Sequence, residues 1–293
     1  MPVTALVSVK SSGVTASSLA LTLASKRPSL LAECDPAGGT IRAGLLAGQA
    51  DASYGLYHLA RAERTGLEAL ANAFASHLWP LDPGGHRKLL PGLTDPAQAA
   101  AMARTWDALA DVLHIMAEQA GYDVFVDGGR LALEAGRLHP TLTPAALLYR
   151  ADMVLLVVRG TEQSLTLARH VLPTLRAELQ EHGSGADALA LLLIEDGDFR
   201  AHRVAEVLGA PVLAALPHDP DPAHYLTAGG RQPRGYGRSP LLLHARTATE
   251  QIGAAAARRR IHQHYPRPAA SDQVAGILQR LNLQHPQPGV NDG

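Results

Sequence analysis

Cysteine is nearly missing from this chain: Cys34 is the only one in 293 residues. One thiol excludes an intramolecular disulfide framework and a cysteine-based zinc finger. Lysine is almost as scarce. Only Lys10, Lys26 and Lys88 stand among the 26 basic residues, so nearly all positive charge is arginine. No apolar run reaches the roughly 18 residues of a membrane-spanning helix. The N-terminus lacks a basic region before an apolar core, so it does not read as a secretory signal, and a cytoplasmic location is expected. There is no G-x-G-x-x-G after the first strand for a dinucleotide and no G-x-S-x-G nucleophile elbow. Net charge is also small, at -1 from 26 basic and 27 acidic residues, which argues against a histone-like or polyanionic protein. The 14 histidines mostly stand alone. His262-Gln263-His264 is the closest pair, and without a nearby carboxylate it reads as solvated rather than metal-binding.

What is present is an alternation of short apolar runs and helical segments. Residues 5–9, 30–34, 88–90, 122–126, 153–158, 188–194 and 211–216 read as strands. Helices are expected near 17–25, 162–182 and 199–208, with helical spacing over 54–78. Met102, Trp106, Leu109, Leu113 and Met116 recur at helical spacing and read as one core-facing stripe. Thr94-Asp95-Pro96 supplies a helix N-cap and an N1 proline before it. Unbroken apolar strands alternating with helices predict an α/β fold, a mostly parallel doubly wound sheet with helices on both faces. Ligands in such sheets bind beyond the carboxyl ends of the strands, which directs attention to residues 10–18, 35–39, 127–130, 159–162 and 217–222. One α/β domain over 1–265 is expected, followed by a proline-containing tail, 266–293. Val274, Ile277, Leu278 and Leu281 mark a short amphipathic helix in that tail.

Lys10-Ser11-Ser12-Gly13-Val14-Thr15-Ala16-Ser17-Ser18 joins the first strand to the first helix. This is the layout of a phosphate-binding loop, in which backbone N–H groups and a helix N-terminus receive the anion. Glu33-Cys34-Asp35-Pro36 follows the second strand, and a later strand ends in Val126-Asp127-Gly128-Gly129. Taken in order over residues 4–255, these pieces resemble the ParA/MinD family of deviant-Walker ATPases. The family's loop has the form K-G-G-x-G-K-[ST]. The resemblance implies a P-loop fold, ATP with Mg2+, a nucleotide-sandwich homodimer and a protein partner in an assembly or partition system.

Carried over residue by residue, Ser12 to Ser18 would form the nucleotide cradle: Ser12, Gly13, Val14, Thr15, Ala16, Ser17 and Ser18. Ser17, or Ser18 with a one-residue shift, would be the metal-binding hydroxyl. Asp35 would position magnesium and water, and Asp127 would be the Walker B carboxylate. Ala16 stands where the phosphate-binding lysine belongs. Lys10 lies one residue from the register of the family's signature lysine, and Gly128-Gly129 replaces the usual continuation. Losing one preorganised contact to the transferring phosphoryl group typically costs about 3–4 kcal/mol. The favoured expectation is therefore a degenerate member, a pseudo-ATPase acting as a spatial organiser or assembly factor through dimer and partner contacts. A pilus- or secretion-linked role, as in the TadZ/CpaE branch, is one version. One alternative is a slow partition-type ATPase in which Lys10 supplies the missing charge.

A second alternative is nonspecific DNA binding. Residues 227–268 hold eight arginines against one acid, Glu250. Arg231, Arg234, Arg238, Arg258, Arg259 and Arg260 are its candidate phosphate contacts. Only Tyr236 and Tyr265 could stack on bases, so single strands are not expected ligands. The tail helix has too few apolar positions for a membrane anchor, and membrane binding is not expected.

Overall fold

The apolar runs form strands because they are covered on both faces, and side chains alternate between two cores. In β1 (Val3–Ser8), Val3, Ala5 and Val7 enter one core and Leu6 the other. In β8 (Met153–Arg159), Val154, Leu156 and Val158 face the first core while Met153, Leu155 and Val157 face the second. The computed structural model describes residues 1–264. The expected tail helix at 274–281 lies outside these residues. Met1–Ala257 forms one compact unit, and Arg258 begins another.

The first unit contains an eight-stranded sheet in the order β10-β9-β8-β1-β5-β2-β4-β3. Its other members are β2 (Ser29–Glu33), β3 (Trp79–Pro80), β4 (Arg87–Leu90), β5 (Asp123–Arg130), β9 (Leu189–Glu195) and β10 (Val212–Pro217). All pairings are parallel except β3 with β4. A small antiparallel hairpin, β6 (Leu133–Glu134) with β7 (Arg137–Leu138), lies outside this sheet.

One face carries α2 (Tyr57–Glu63), α3 (Leu67–Ser76), α4 (Ala99–Met102), α5 (Thr105–Glu118), α6 (Ala145–Arg150), α7 (Glu162–His182) and α8 (Ala201–Leu208). The other carries α1 (Val14–Ala24), α9 (Pro220–Ala228) and the helix α10 (Pro240–His264) through Ala256. The mostly parallel sheet and its two helical layers match the expected class. No helix among the described residues is long and apolar enough to cross a membrane.

Several elements differ from the sequence expectation for local reasons. The helical spacing over 54–78 divides into α2 and α3 around Gly66, whose φ of 132° breaks the helix. Asp95 does cap, accepting from the Ala97 N–H at 2.8 Å, but the helix it starts is a short 3-10 turn leading into α4. The expected stripe then spans α4 and α5: Met102, Trp106, Leu109 and Leu113 are buried and Met116 packs against them. The first helix begins at Val14, three residues before the expected start, because Gly13 turns the chain into it with φ 91°.

Candidate functional site

The carboxyl ends of β1, β5, β8 and β2 converge where the polar residues of these strands are concentrated. Ser8, Arg130, Arg159 and Glu33 end the four strands. Ser8, Arg159 and Glu33 follow apolar runs whose burial fixes which face the terminal side chain takes.

The loop after β1 enters α1 at Gly13, and the first helical bond runs from the Ser17 N–H to the Gly13 carbonyl at 2.9 Å. The N–H groups before it have no partner within the helix. No acidic residue occupies the first turn, so nothing of this helix opposes a bound anion. These residues border a cavity of about 280 Å³, lined by Ser8, Ser11–Ala16, Asp35, Thr40, Gly129, Arg130, Arg159 and Thr227. Ser12, Gly13, Val14, Thr15 and Ala16 of the expected cradle line it together. Ser17 and Ser18 do not; both are buried further into α1, and the Ser18 hydroxyl has no hydrogen-bond partner. Ser12 folds back, its hydroxyl donating to the Lys10 carbonyl at 2.6 Å.

Three carboxylates lie beside the loop. Asp127 is fully buried; its Oδ1 accepts from the Gly129 N–H at 3.0 Å, while Oδ2 has no hydrogen bond of normal geometry. Burial raises its pKa to about 7; the Thr15 hydroxyl and the Gly129 N–H lower it, and the charges of Glu33 and Asp35 raise it further. Thr15, and not Ser17, is the hydroxyl residue whose proximity lowers the Asp127 pKa. Asp35 is half-buried, and burial raises its pKa against the Ala37 N–H and the Arg130 charge. Its Oδ1 accepts from Ala37 N–H at 2.8 Å.

Glu33 does something different. Its Oε1 accepts from the Thr40 and Ile41 N–H groups at 2.8 and 3.0 Å, and its Oε2 from Gly92 N–H at 2.8 Å. It ties two loops together, and burial raises its pKa despite those bonds. Between these carboxylates, burial and their charges push the Cys34 thiol well above its usual range, so it is no thiolate nucleophile.

Gly128-Gly129 is a bulge. Leu6 pairs with Asp127, but Ser8 pairs with Arg130, so β5 holds one extra residue there. The extra residue reverses the side-chain alternation, and Arg130 shares the α1 face with Ser8 instead of pointing away. Only glycine fits at 129: φ is 64°, and a Cβ would lie 2.1 Å from Asp35 Cγ. Arg130 Nη2 reaches within 3.4 Å of Ser11 Oγ. Arg159 pairs with Asp196 through Nη1, and its Nε is buried without a partner.

Lys10 is exposed and lines a neighbouring cavity of about 320 Å³ with Ser11, Ser12, Arg159, Thr161, Gln163, Ser164 and Asp196. It does not line the cavity that contains Ala16. The sequence reading flagged 127–130 and 159–162 by position but assigned no role to Arg130 or Arg159. The available signals were a lone arginine after a Gly-Gly pair and a lone arginine ending an unbroken apolar strand.

The C-terminal candidates divide between two places. Arg231, Arg234 and Arg238 are exposed around the turns between α9 and α10, and none has an ion pair among the described residues. Arg258, Arg259 and Arg260 are consecutive in the last turns of α10, in the second unit. Successive helical residues are rotated by about 100°, so the three cannot share one face. Among the described residues, no cluster of three or more His, Cys, Asp or Glu side chains could hold a metal ion.

No protein-family model and no curated protein matches the chain. Solved structures do. The Pyrococcus furiosus cell division ATPase MinD superposes with TM-score 0.60 at 17% identity, covering 87% of this chain and 99% of that one. The ParA family ATPase from Chlorobium tepidum gives 0.59 at 17%, covering 85% and 98%. The Pyrococcus horikoshii septum site-determining protein MinD, complexed with Mg-ADP, gives 0.59 at 18%, covering 88% and 98%. The chain has the fold of the ParA and MinD ATPases. Likeness at this identity carries the architecture and says nothing yet of catalysis.

Proposed function

We propose that this protein is a degenerate ParA/MinD-like factor that hydrolyses ATP negligibly and organises an assembly or partition process through dimer and partner contacts. The observation that carries this reading is the make-up of the loop. Gly13 turns directly into α1, so the helix start matches the family's final loop glycine. In that register Val14 replaces the phosphate-binding lysine and Thr15 the metal-binding hydroxyl, in keeping with the lowering of the Asp127 pKa by Thr15. In the alternative register the lysine is replaced by Ala16. Either way no lysine follows the loop, and phosphoryl transfer loses its preorganised cation.

Nucleotide binding itself remains compatible with this site. The orphaned Asp127 Oδ2 and the Thr15 hydroxyl suit a hydrated magnesium ion, which would neutralise phosphate charge there. Phosphate release from ATP by the purified chain tests the proposal, and turnover at background is expected. Turnover that disappears in both Lys10→Ala and Asp127→Ala would overturn it in favour of a slow partition-type ATPase.

A second reading has its own support. Arg231, Arg234 and Arg238 are exposed and free of ion pairs among the described residues, which suits a nonspecific contact with duplex phosphates. Neutralising them together should weaken duplex binding and flatten its salt dependence. No duplex binding by the unaltered chain at about 50 mM salt excludes this reading.

A further inference from the structure

We infer that Arg130 and Arg159 together replace the missing loop lysine, so that this site takes the phosphate groups of a nucleotide through two guanidinium groups supplied by β5 and β8. The inference rests on the nucleotide-compatible site just described, and it adds the residues that would hold the ligand.

Both arginines line the cavity formed by the loop and the first turn of α1, and Lys10 does not. They reach it by different devices. Arg130 faces the cavity because the bulge at Gly128-Gly129 shifts it into register with Ser8. Without the extra residue, strand alternation would turn it toward the opposite core. Arg159 faces it by plain alternation, two residues beyond Val157 on the same side of β8. Asp196 fixes one end of the Arg159 guanidinium and leaves its buried Nε without a partner. Arg130 has the Asp35 charge nearby, and its hydrogen bond to the Ser11 hydroxyl is long, at 3.4 Å.

The chemistry fits a phosphate chain. A guanidinium offers a planar fork that binds phosphate oxygens in pairs, where a lysine offers a point charge. The Arg130 fork and the Arg159 donor that Asp196 leaves free, beside unpaired helix N–H groups, give an anion several donors. The same arrangement is poor for transfer chemistry. These cations are fixed by strand ends and by Asp196, not carried on the loop that embraces the phosphates.

Calorimetry with tripolyphosphate, ATP and adenosine tests this in the full chain, with Arg130→Ala, Arg159→Ala, the double variant and Arg130→Lys. Lys26→Ala serves as a distant charge control, and melting curves verify folding. Tripolyphosphate and ATP should bind and adenosine should not. Each alanine variant should weaken binding about tenfold or more, with a shallower salt dependence. Arg130→Lys should recover only part of the loss. No tripolyphosphate binding by the unaltered chain at millimolar concentration overturns the inference. So does wild-type affinity in the double variant, or loss of binding in Lys10→Ala with both arginine variants intact. ATP turnover is a separate readout: turnover by the unaltered chain would sink the pseudo-ATPase reading without touching the arginine assignment.

Discussion

Asp123 and Asp127 lie on the same strand, both almost fully buried, and have opposite surroundings. At the amino end of β5, Asp123 accepts from the Ser25 hydroxyl at 2.7 Å and from Arg27 Nη2 at 2.7 Å. At the carboxyl end, Asp127 has an orphaned oxygen and two further carboxylates for neighbours. The first is a fastening between α1 and the sheet. The second is a charge that folding leaves unmatched beside an open cavity. Unmatched buried charge costs stability, and such sites are where function concentrates.

The sharpest way to break this comparison is to remove each carboxylate in turn. Asp123→Ala takes the counter-charge from Arg27 and the acceptor from Ser25. It should cost about 2–3 kcal/mol, because the Arg27 left behind can be hydrated, read as a lower denaturant midpoint. Asp127→Asn should act in the other direction. Its folded pKa is raised from 3.8 to about 7, so the folded chain holds this proton more tightly than the unfolded chain does. Wild-type stability therefore falls as pH rises through that interval and stays low above it. The asparagine variant, measured without magnesium, should gain about 4 kcal/mol at pH 8 and nothing near pH 4. A loss of stability at pH 8 would mean that Asp127 is as well matched as Asp123.

A smaller effect is expected at the bulge that separates the two ends. Gly129→Ala forces a Cβ into the Asp35 carboxyl and an L side chain into φ 64°. The cost should be about 1–3 kcal/mol in melting experiments. Tripolyphosphate affinity should fall with it, because relaxing the bulge turns Arg130 away from the cavity.

That bulge also marks where the sequence stops being readable. The sheet was legible because β8 and β9 are apolar up to their last residue and β1 is apolar but for Thr4 and Ser8, a pattern that burial on both faces explains. The two-residue strands β3, β6 and β7 are too short to carry any alternation. Asp35 and Asp127 could be found from their places at strand ends. The loop register could not, since Val14-Thr15 reads locally as β-branched loop and only the fold shows that Gly13 turns directly into α1. Arg130 was hidden for a similar reason. Counting alternate residues from Val126 puts it on the wrong face, and one extra residue corrects it.

The smallest effect concerns the neighbour of Arg27. Lys26 forms an ion pair with Glu250 of α10, yet the two side chains are 65% and 56% exposed. Arg27, one residue on, meets an Asp123 side chain only 6% exposed. Water and salt screen the first pair, and holding two long side chains in one geometry offsets what attraction is left. In the second pair water reaches only the Arg27 end, which is 44% exposed, and the acceptor cannot be rehydrated without opening the strand. Lys26→Ala should therefore leave the melting temperature unchanged within error, at low and high salt alike. A salt-sensitive drop approaching that of Asp123→Ala would show that α10 is fastened to the sheet through this pair, and that burial is the wrong criterion for telling the strong contacts from the weak.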